Sequence, residues 1–336
     1  MGSGSFNPGI HEEFTRAHGS GASAFGYSNS LGNLKKVHPS LDPNGVKVRE
    51  SRDSDEHPES VAIAVFFDVT GSMHNVPVVL QTKLPELMGL LLRKGYVDHP
   101  QIMFGAIGDA YSDQVPLQVG QFESDNVMNE NMTNMVLEGG GGGGNHESYQ
   151  LAAYFLARHT DTDCWNKRGH KGYVFIIGDE RVYKTVDRHQ VEELIGDNLP
   201  EGISTQEIFR ELQERYEVFY LFATQGSYTP DEVLPEEVGQ PDCLGWRPVL
   251  GQNALVLEDA EAVCEVIALN IGVMEGRIDL DEGAEDLREF GVNEATIGVA
   301  TRALADVANS RAVAKAGTGG KLPGMPDGPS APSGRI

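Results

Sequence analysis

The stretch that decides the fold is VAIAVFFDVTGSM, residues 61–73. Its apolar first half is rich in Val and Phe, which is typical of a strand buried on both faces. The run ends at Asp68, and hydroxyl side chains follow at Thr70 and Ser72. Residues at the carboxyl end of such a strand project into the crevice where open α/β sheets bind ligands. One carboxylate and two hydroxyls placed there suit a hard divalent cation, held partly through water.

Apolar strands and helices with one apolar face alternate through residues 59–276. The pattern predicts strands at 61–67, 102–108, 173–178, 217–223 and 254–257, and helices at 75–95, 146–159, 204–214 and from Asp259 onwards. Alternation of this kind predicts an α/β, Rossmann-like fold with a mostly parallel central sheet and helices on both faces. The alternating Val115, Leu117 and Val119 beside Pro116 indicate an edge strand.

The segments outside this α/β domain have a different composition. Residues 1–58 are rich in Gly, Ser, Asn and His without sustained periodicity, so we expect an irregular N-terminal arm. Residues 277–312 are predicted to form a helical extension. The Gly-, Pro- and Ser-rich end, residues 313–336, has little to bury and is expected to be disordered.

The formal net charge of -24 limits the classes of partner. A field of that sign repels nucleic acids and attracts cations. The three cysteines are widely spaced and form no CxxC motif, which favours a reducing compartment over a disulfide framework or a zinc site. No apolar run approaches the roughly 20 residues of a membrane helix. We therefore expect a cytoplasmic protein that binds neither nucleic acid nor membrane.

Three predicted strands end in an aspartate, at Asp68, Asp109 and Asp179. In a parallel sheet these ends share one edge, and the glycine run 139–144 leads to the same edge. Carboxylates that crowd together raise one another's pKa, and a divalent cation removes that repulsion. Oxygen ligands favour magnesium, manganese or calcium over zinc, and retained water with hydroxyl ligands suits magnesium best.

The segment Asp68-Val69-Thr70-Gly71-Ser72-Met73 resembles the DxSxS-type loop of the von Willebrand factor type A (vWA) family. The resemblance covers roughly residues 60–275. Segments such as GGGGNHESYQLA and FIIGDE resemble the sequences of stand-alone bacterial and phage members of the family. It implies a metal-ion-dependent adhesion site (MIDAS) built from three loops. The matching positions are Asp68, Thr70 and Ser72 in the first loop, Glu147 and next Asn145 in the second, and Asp179 in the third. The second loop lacks the usual Thr, and Asp109 is a weaker candidate that we expect to act through hydrogen bonds.

The resemblance also implies a function. In this family the metal generally keeps an open position that a partner's Asp or Glu fills, so the site recognises a protein and is not catalytic. Some bacterial relatives act beside AAA-type ATPases, which makes such an ATPase a candidate partner by analogy.

Three other interpretations compete with this one. The strand followed by DVTGS also resembles haloacid-dehalogenase-like phosphotransferases, in which Asp68 would be the nucleophile. Thr70 occupies the place of that family's general acid, and no Lys stands at an obvious strand end. The glycine run fits G-x-G-x-x-G but lacks the strand–turn–helix context of a dinucleotide site. A Cys164–His pair is a third, weaker possibility.

Overall fold

A computed structural model describes residues 4–73, 75–139, 146–235 and 242–318, without the side chains of Ser72 and residues 312–318. In this part of the chain the strands are β1 Arg49–Ser51, β2 Val61–Asp68, β3 Pro100–Ile107, β4 Leu117–Val119, β5 His146–Glu147, β6 Thr160–Thr162, β7 Gly172–Gly178, β8 Arg181–Tyr183, β9 Thr185–Val186, β10 Ile203–Ser204, β11 Tyr216–Ala223, β12 Cys243–Leu244 and β13 Ala254–Leu257.

The α-helices of the same part are α1 Pro8–His18, α2 Gly26–Ser30, α3 Asn75–Arg93, α4 Val127–Thr133, α5 Tyr149–Arg158, α6 Asp163–Arg168, α7 Arg188–Leu194, α8 Thr205–Arg215, α9 Pro230–Val233, α10 Arg247–Leu250, α11 Val263–Met274, α12 Leu280–Glu289 and α13 Glu294–Thr318. Helix α3 continues through Pro85.

The central sheet has six strands in the order β13-β11-β7-β2-β3-β4. All neighbouring pairs are parallel except β3 and β4, which are antiparallel. The structure thus confirms the Rossmann-like α/β fold and the edge strand beside Pro116, which runs antiparallel to β3. A separate three-stranded sheet has the order β12-β8-β5.

Strand β2 shows why both faces of the sheet are covered. Its alternate side chains enter two different hydrophobic clusters. Ile63, Val65 and Phe67 pack in a cluster with α3, α11 and the C-terminal helices. Ala62, Ala64 and Phe66 pack in a second cluster with α5 and α8.

The terminal segments are more regular than their composition predicts. The N-terminal arm contains α1 and α2, and Asn7 caps α1 by accepting hydrogen bonds from the backbone of Gly9 and Ile10. Strand β1 pairs with β6. Leu287 in α12 and Leu304 in α13 belong to the cluster that contains α3. Helix α13 enters the segment predicted to be disordered, and residues 319–336 of that segment lie outside the described residues.

The three cysteines, Cys164, Cys243 and Cys264, are free and buried. None of the helices in the described ranges is long and apolar enough to cross a membrane.

Candidate metal centre

Asp68 is the last residue of β2 and is completely buried. Its Oδ1 atom accepts two hydrogen bonds of 2.7 Å, from the backbone N–H and from the hydroxyl of Thr70. Its Oδ2 atom accepts a hydrogen bond of 3.1 Å from the hydroxyl of Tyr149. The turn after β2 and the start of α5 therefore fix the orientation of this carboxylate.

Asp179 follows the neighbouring strand, β7. Phe67 lies opposite Ile177 in the parallel register, so Asp68 and Asp179 come at the ends of adjacent strands. Asp179 is completely buried, and its Oδ2 atom accepts a hydrogen bond of 2.8 Å from the backbone N–H of Ser227. Gly226 makes room for it, because a Cβ atom there would lie 1.9 Å from Oδ2.

Glu147 lies in β5, paired in parallel with β8, and only 3% of its surface is exposed. The helix predicted to include it begins later, at Tyr149, because residues 146 and 147 instead extend to pair with Arg181 and Val182. Its Oε2 atom is buried and has no hydrogen-bond partner among the described residues. A buried carboxylate oxygen without a partner is costly, so this position calls for a proton or a cation.

Burial and mutual repulsion act on the ionisation of these groups. Burial, and then the charge of Asp179, raise the pKa of Asp68 despite the hydrogen bonds that it accepts. Burial raises the pKa of Glu147, and the charges of Asp68 and Glu180 raise it further. Burial, together with the charges of Asp68, Asp179 and Asp109, raises the pKa of Glu180 to about 8. These carboxylates thus lie near enough to repel one another.

Asp109 lies in the turn after β3, two residues beyond Ile107, which is the partner of Asp68 in the parallel register. Its Oδ1 atom accepts hydrogen bonds from the hydroxyl of Tyr183 at 2.9 Å and from the backbone N–H of Tyr111 at 3.1 Å. The Ser148 hydroxyl approaches the same atom at 3.5 Å. Asp109 therefore joins the turn after β3 to β8 and to the start of α5, an arrangement suited to orienting the loops.

The donor set fits a divalent cation in its chemistry. Asp68, Thr70, Glu147 and Asp179 offer oxygen atoms only, which is the preference of magnesium, manganese and calcium. No group of three or more His, Cys, Asp or Glu side chains within the described ranges is arranged to hold a metal by itself. A site here would consequently use hydroxyl oxygens and water beside the carboxylates. The unpartnered Oε2 atom of Glu147 close to the charge of Asp68 is the observation that fits such a site.

Two predicted ligands cannot be placed. Ser72 lies in a 3-10 turn, Gly71–Met73, but its side chain is outside the described part, and Asn145 falls in the undescribed range 140–145. The ligand set therefore stays a prediction.

Sequence reasoning missed three contributors to the site: Tyr149, Glu180 and the Gly226–Ser227 turn. Glu180 could have been noticed because it directly follows Asp179. Tyr149 and the turn after β11 carry no sequence signal, because their roles depend on packing between distant segments.

Comparisons with known proteins give structural likeness only. No family model matches the chain, and no curated protein sequence matches it. Among solved structures, the pilus adhesin SpaC from Lactobacillus rhamnosus GG in its open conformation aligns with 67% of this chain at 10% identity and a TM-score of 0.42. The alignment covers 31% of the adhesin chain.

Proximal thread matrix protein 1 from the mussel byssus is also similar. Its second crystal form aligns with 67% of this chain and 49% of its own at 11% identity, with a TM-score of 0.38. Its form with a zinc-occupied MIDAS motif aligns with 67% of this chain and 48% of its own, with a TM-score of 0.35. This chain thus spans between about a third and a half of the length of these neighbours.

Proposed function

We propose that this chain is a divalent-cation-dependent protein-binding domain of the vWA kind. Asp68, Thr70, Ser72, Glu147 and Asp179 would hold the ion, with magnesium as the first candidate and manganese or calcium as alternatives. A bound ion supplies positive charge and an open position for an Asp or Glu side chain of a protein partner. The ion would also let a chain with a net charge of -24 bind an acidic group.

One observation supports this proposal above the others. The buried Oε2 atom of Glu147 has no hydrogen-bond partner in the described part of the chain, and Glu147 lies in the field of the fully buried Asp68. Hydrogen bonds from Thr70 and Tyr149 fix the Asp68 carboxylate in its position, so the two carboxylates cannot move apart freely. A shared cation would remove both the repulsion and the unsatisfied oxygen.

The phosphotransferase alternative is disfavoured by the surroundings of Asp68. The general acid of that class would stand two residues after the nucleophile, where this chain has Thr70, whose hydroxyl donates to Asp68 Oδ1 at 2.7 Å. An aryl-phosphate hydrolysis assay and trapping of Asp68 with beryllium fluoride would detect that activity if it existed.

The metal part of the proposal is tested with the full chain by calorimetric titration and thermal unfolding in magnesium, manganese, calcium or EDTA. We expect saturable binding and a raised melting temperature in the wild type, and neither in Asp68→Ala. Asp55→Ala, at an exposed position, is the matched control and should respond like the wild type. A full magnesium response of Asp68→Ala would show that the site is assigned wrongly.

The protein-binding part is tested by affinity capture in magnesium and in EDTA, followed by mass spectrometry. A genuine partner is retained by the wild type in magnesium and lost both in EDTA and with Asp68→Ala. Substitution of the partner's contacting Asp or Glu should then abolish binding. By family analogy an AAA-type ATPase is the first candidate to examine. Retention that is equal in magnesium and EDTA would contradict metal-dependent recognition.

A further inference from the structure

A cavity of about 500 Å³ opens beside the candidate metal centre. Among the described residues it is lined by Tyr111, His146, Tyr183, Lys184, Thr185 and Asp242. The metal proposal does not use this cavity. A space of this size can hold a long side chain, and its lining shows which chemistry it would accept.

Three aromatic rings form one wall of the cavity. The ring centroids of Tyr111 and Tyr183 are 4.9 Å apart, with an interplanar angle of 48°. The ring of His146 meets Tyr183 edge-on at 4.2 Å. Tyr111 is 66% exposed, which is unusual for a large aromatic side chain that is already in contact with another ring. Aromatic faces that open to a cavity attract cations through the ring quadrupole.

The charges around these rings also favour a cation in the cavity. Burial raises the pKa of Tyr111, and the negative charges of Asp187, Asp109 and Asp242 raise it further. Lys184 contributes one positive charge to the lining and Asp242 one negative charge. Asp109 and Asp187 add two further negative charges that act on Tyr111. An anionic guest would meet both this field and the negative ring faces, so a cation is the favoured occupant.

Hydrogen bonds and strand pairing connect this cavity to the metal centre. The Tyr183 hydroxyl donates to Asp109 Oδ1 at 2.9 Å. His146 directly precedes Glu147 in β5, and the pairing of β5 with β8 holds Glu147 beside Val182. The cavity and the candidate metal centre therefore share strands β5 and β8 and the side chain of Asp109, with His146 and Glu147 on opposite faces of β5.

We propose that this aromatic cavity is a subsite for a basic side chain, Lys or Arg, of the protein partner. Its assignment to a protein partner rests on the proposed function, whereas its preference for a cation does not. The partner would then present an acidic residue to the metal and a basic residue to the rings. Such a pair would reject partners that carry only an acidic group.

The test uses the full chain with 3-fluorotyrosine incorporated and follows ¹⁹F NMR signals. The probes are N-acetyl-lysine methylamide, its neutral isostere N-acetyl-norleucine methylamide, and N-acetyl-glutamate methylamide. Tyr111→Phe and Tyr183→Phe assign the two signals by their loss. We expect saturable shifts of both signals with the lysine probe, and weaker or absent shifts with the other two. Equal responses to the lysine and norleucine probes, or tighter binding of the glutamate probe, would overturn the proposal.

The variants separate ring chemistry from general surface effects. Tyr111→Leu should lower the affinity for the lysine probe about fivefold, as expected for loss of a cation–π contact, whereas Tyr111→Phe should keep the wild-type affinity. Asp242→Asn should also weaken binding of the lysine probe. Both positions are exposed, so the fold should survive. Equal affinity of Tyr111→Leu and the wild type would contradict the assignment.

Each titration is run in magnesium and in EDTA. Lysine binding that persists in EDTA supports the cationic subsite even if the protein shows no magnesium response. A clear magnesium response without lysine binding overturns the subsite alone and leaves the metal proposal standing.

Discussion

The hydroxyl of Tyr149 donates a hydrogen bond of 3.1 Å to Oδ2 of Asp68, across the start of α5 and the end of β2. Tyr149 is fully buried, and its ring also contacts Tyr220 and Trp246 edge-on at 5.8 and 5.3 Å. The hydroxyl has room because Gly178 carries no side chain. The candidate site is therefore held by an aromatic cluster that lies beneath it.

Gly178→Ala should destabilise the fold by about 1–3 kcal/mol, the usual cost of overpacking. A Cβ atom at Gly178 would lie 2.1 Å from the Tyr149 hydroxyl oxygen and 2.7 Å from the ring carbon that bears it. Tyr149→Phe removes the first contact but not the second, so the double variant should recover part of the loss. Urea unfolding of the four proteins measures the coupling. Strictly additive effects would mean that the two residues do not meet.

Gly226→Ala should disturb Asp179 and remove the stabilisation by magnesium. The added Cβ atom would lie 1.9 Å from Oδ2 and 2.3 Å from the carboxylate carbon of Asp179, so that side chain must move. Thermal unfolding in magnesium and in EDTA measures the effect. Gly26→Ala is the control, because its Cβ atom meets nothing nearer than 3.8 Å. An unchanged magnesium response in Gly226→Ala would mean that Asp179 is not a ligand of the ion.

The sheet could be predicted because its signals are local. The apolar run 61–67 is a buried strand, and the edge strand follows from the alternation of Leu117 and Val119 beside Pro116. The same logic placed Asp68 and Asp179 at one edge, and the β2–β7 register makes their strands adjacent. Strand length and polarity alone are enough to decide such features.

The support around the site could not be predicted, because it depends on contacts between distant segments. The short pairs such as β5 with β8 have two or three residues each and no periodic pattern. Glu147 therefore looked like part of a helix start, although pairing with β8 holds it in a strand. The contact of Gly226 with Asp179 spans two separate loops, and a lone glycine does not reveal what it accommodates.

Glu147→Gln should stabilise the metal-free protein and reduce its response to magnesium. The amide has nearly the same shape but no charge, so it relieves the repulsion that raises the pKa of Glu147. Magnesium at 100 times its dissociation constant would stabilise the wild type by about 2.7 kcal/mol, and the variant by clearly less. Urea unfolding in EDTA and in magnesium measures both quantities.

Glu192→Gln, an exposed substitution of the same kind, is the control for Glu147→Gln. A variant that is less stable than the wild type in EDTA would mean that Glu147 is not under repulsion. An undiminished gain in magnesium would mean that Glu147 is not a ligand.

Asp53→Asn should destabilise the protein at neutral pH and lose this effect in acid. Burial opposes ionisation of Asp53, but hydrogen bonds from Arg168, Ser60 and Lys167 hold its pKa well below the usual 3.8. Its side chain is 13% exposed, and the Arg168 contact is 2.8 Å long. Hydrogen bonds to charged groups contribute roughly 1.5–3 kcal/mol each, so we expect a loss of about 2 kcal/mol at pH 7.

The pH dependence of this effect has a definite sign. Because the folded pKa of Asp53 is depressed, its contribution is complete above pH 3.8 and is lost as the pH falls through the folded pKa. The difference in unfolding free energy between wild type and Asp53→Asn should therefore stay constant from pH 7 to 5 and shrink below pH 4. Urea unfolding at each pH measures it, with Asp55→Asn at an exposed neighbouring position as the control. A difference that grows in acid would contradict the ion pairs that join residues 53–60 to α6.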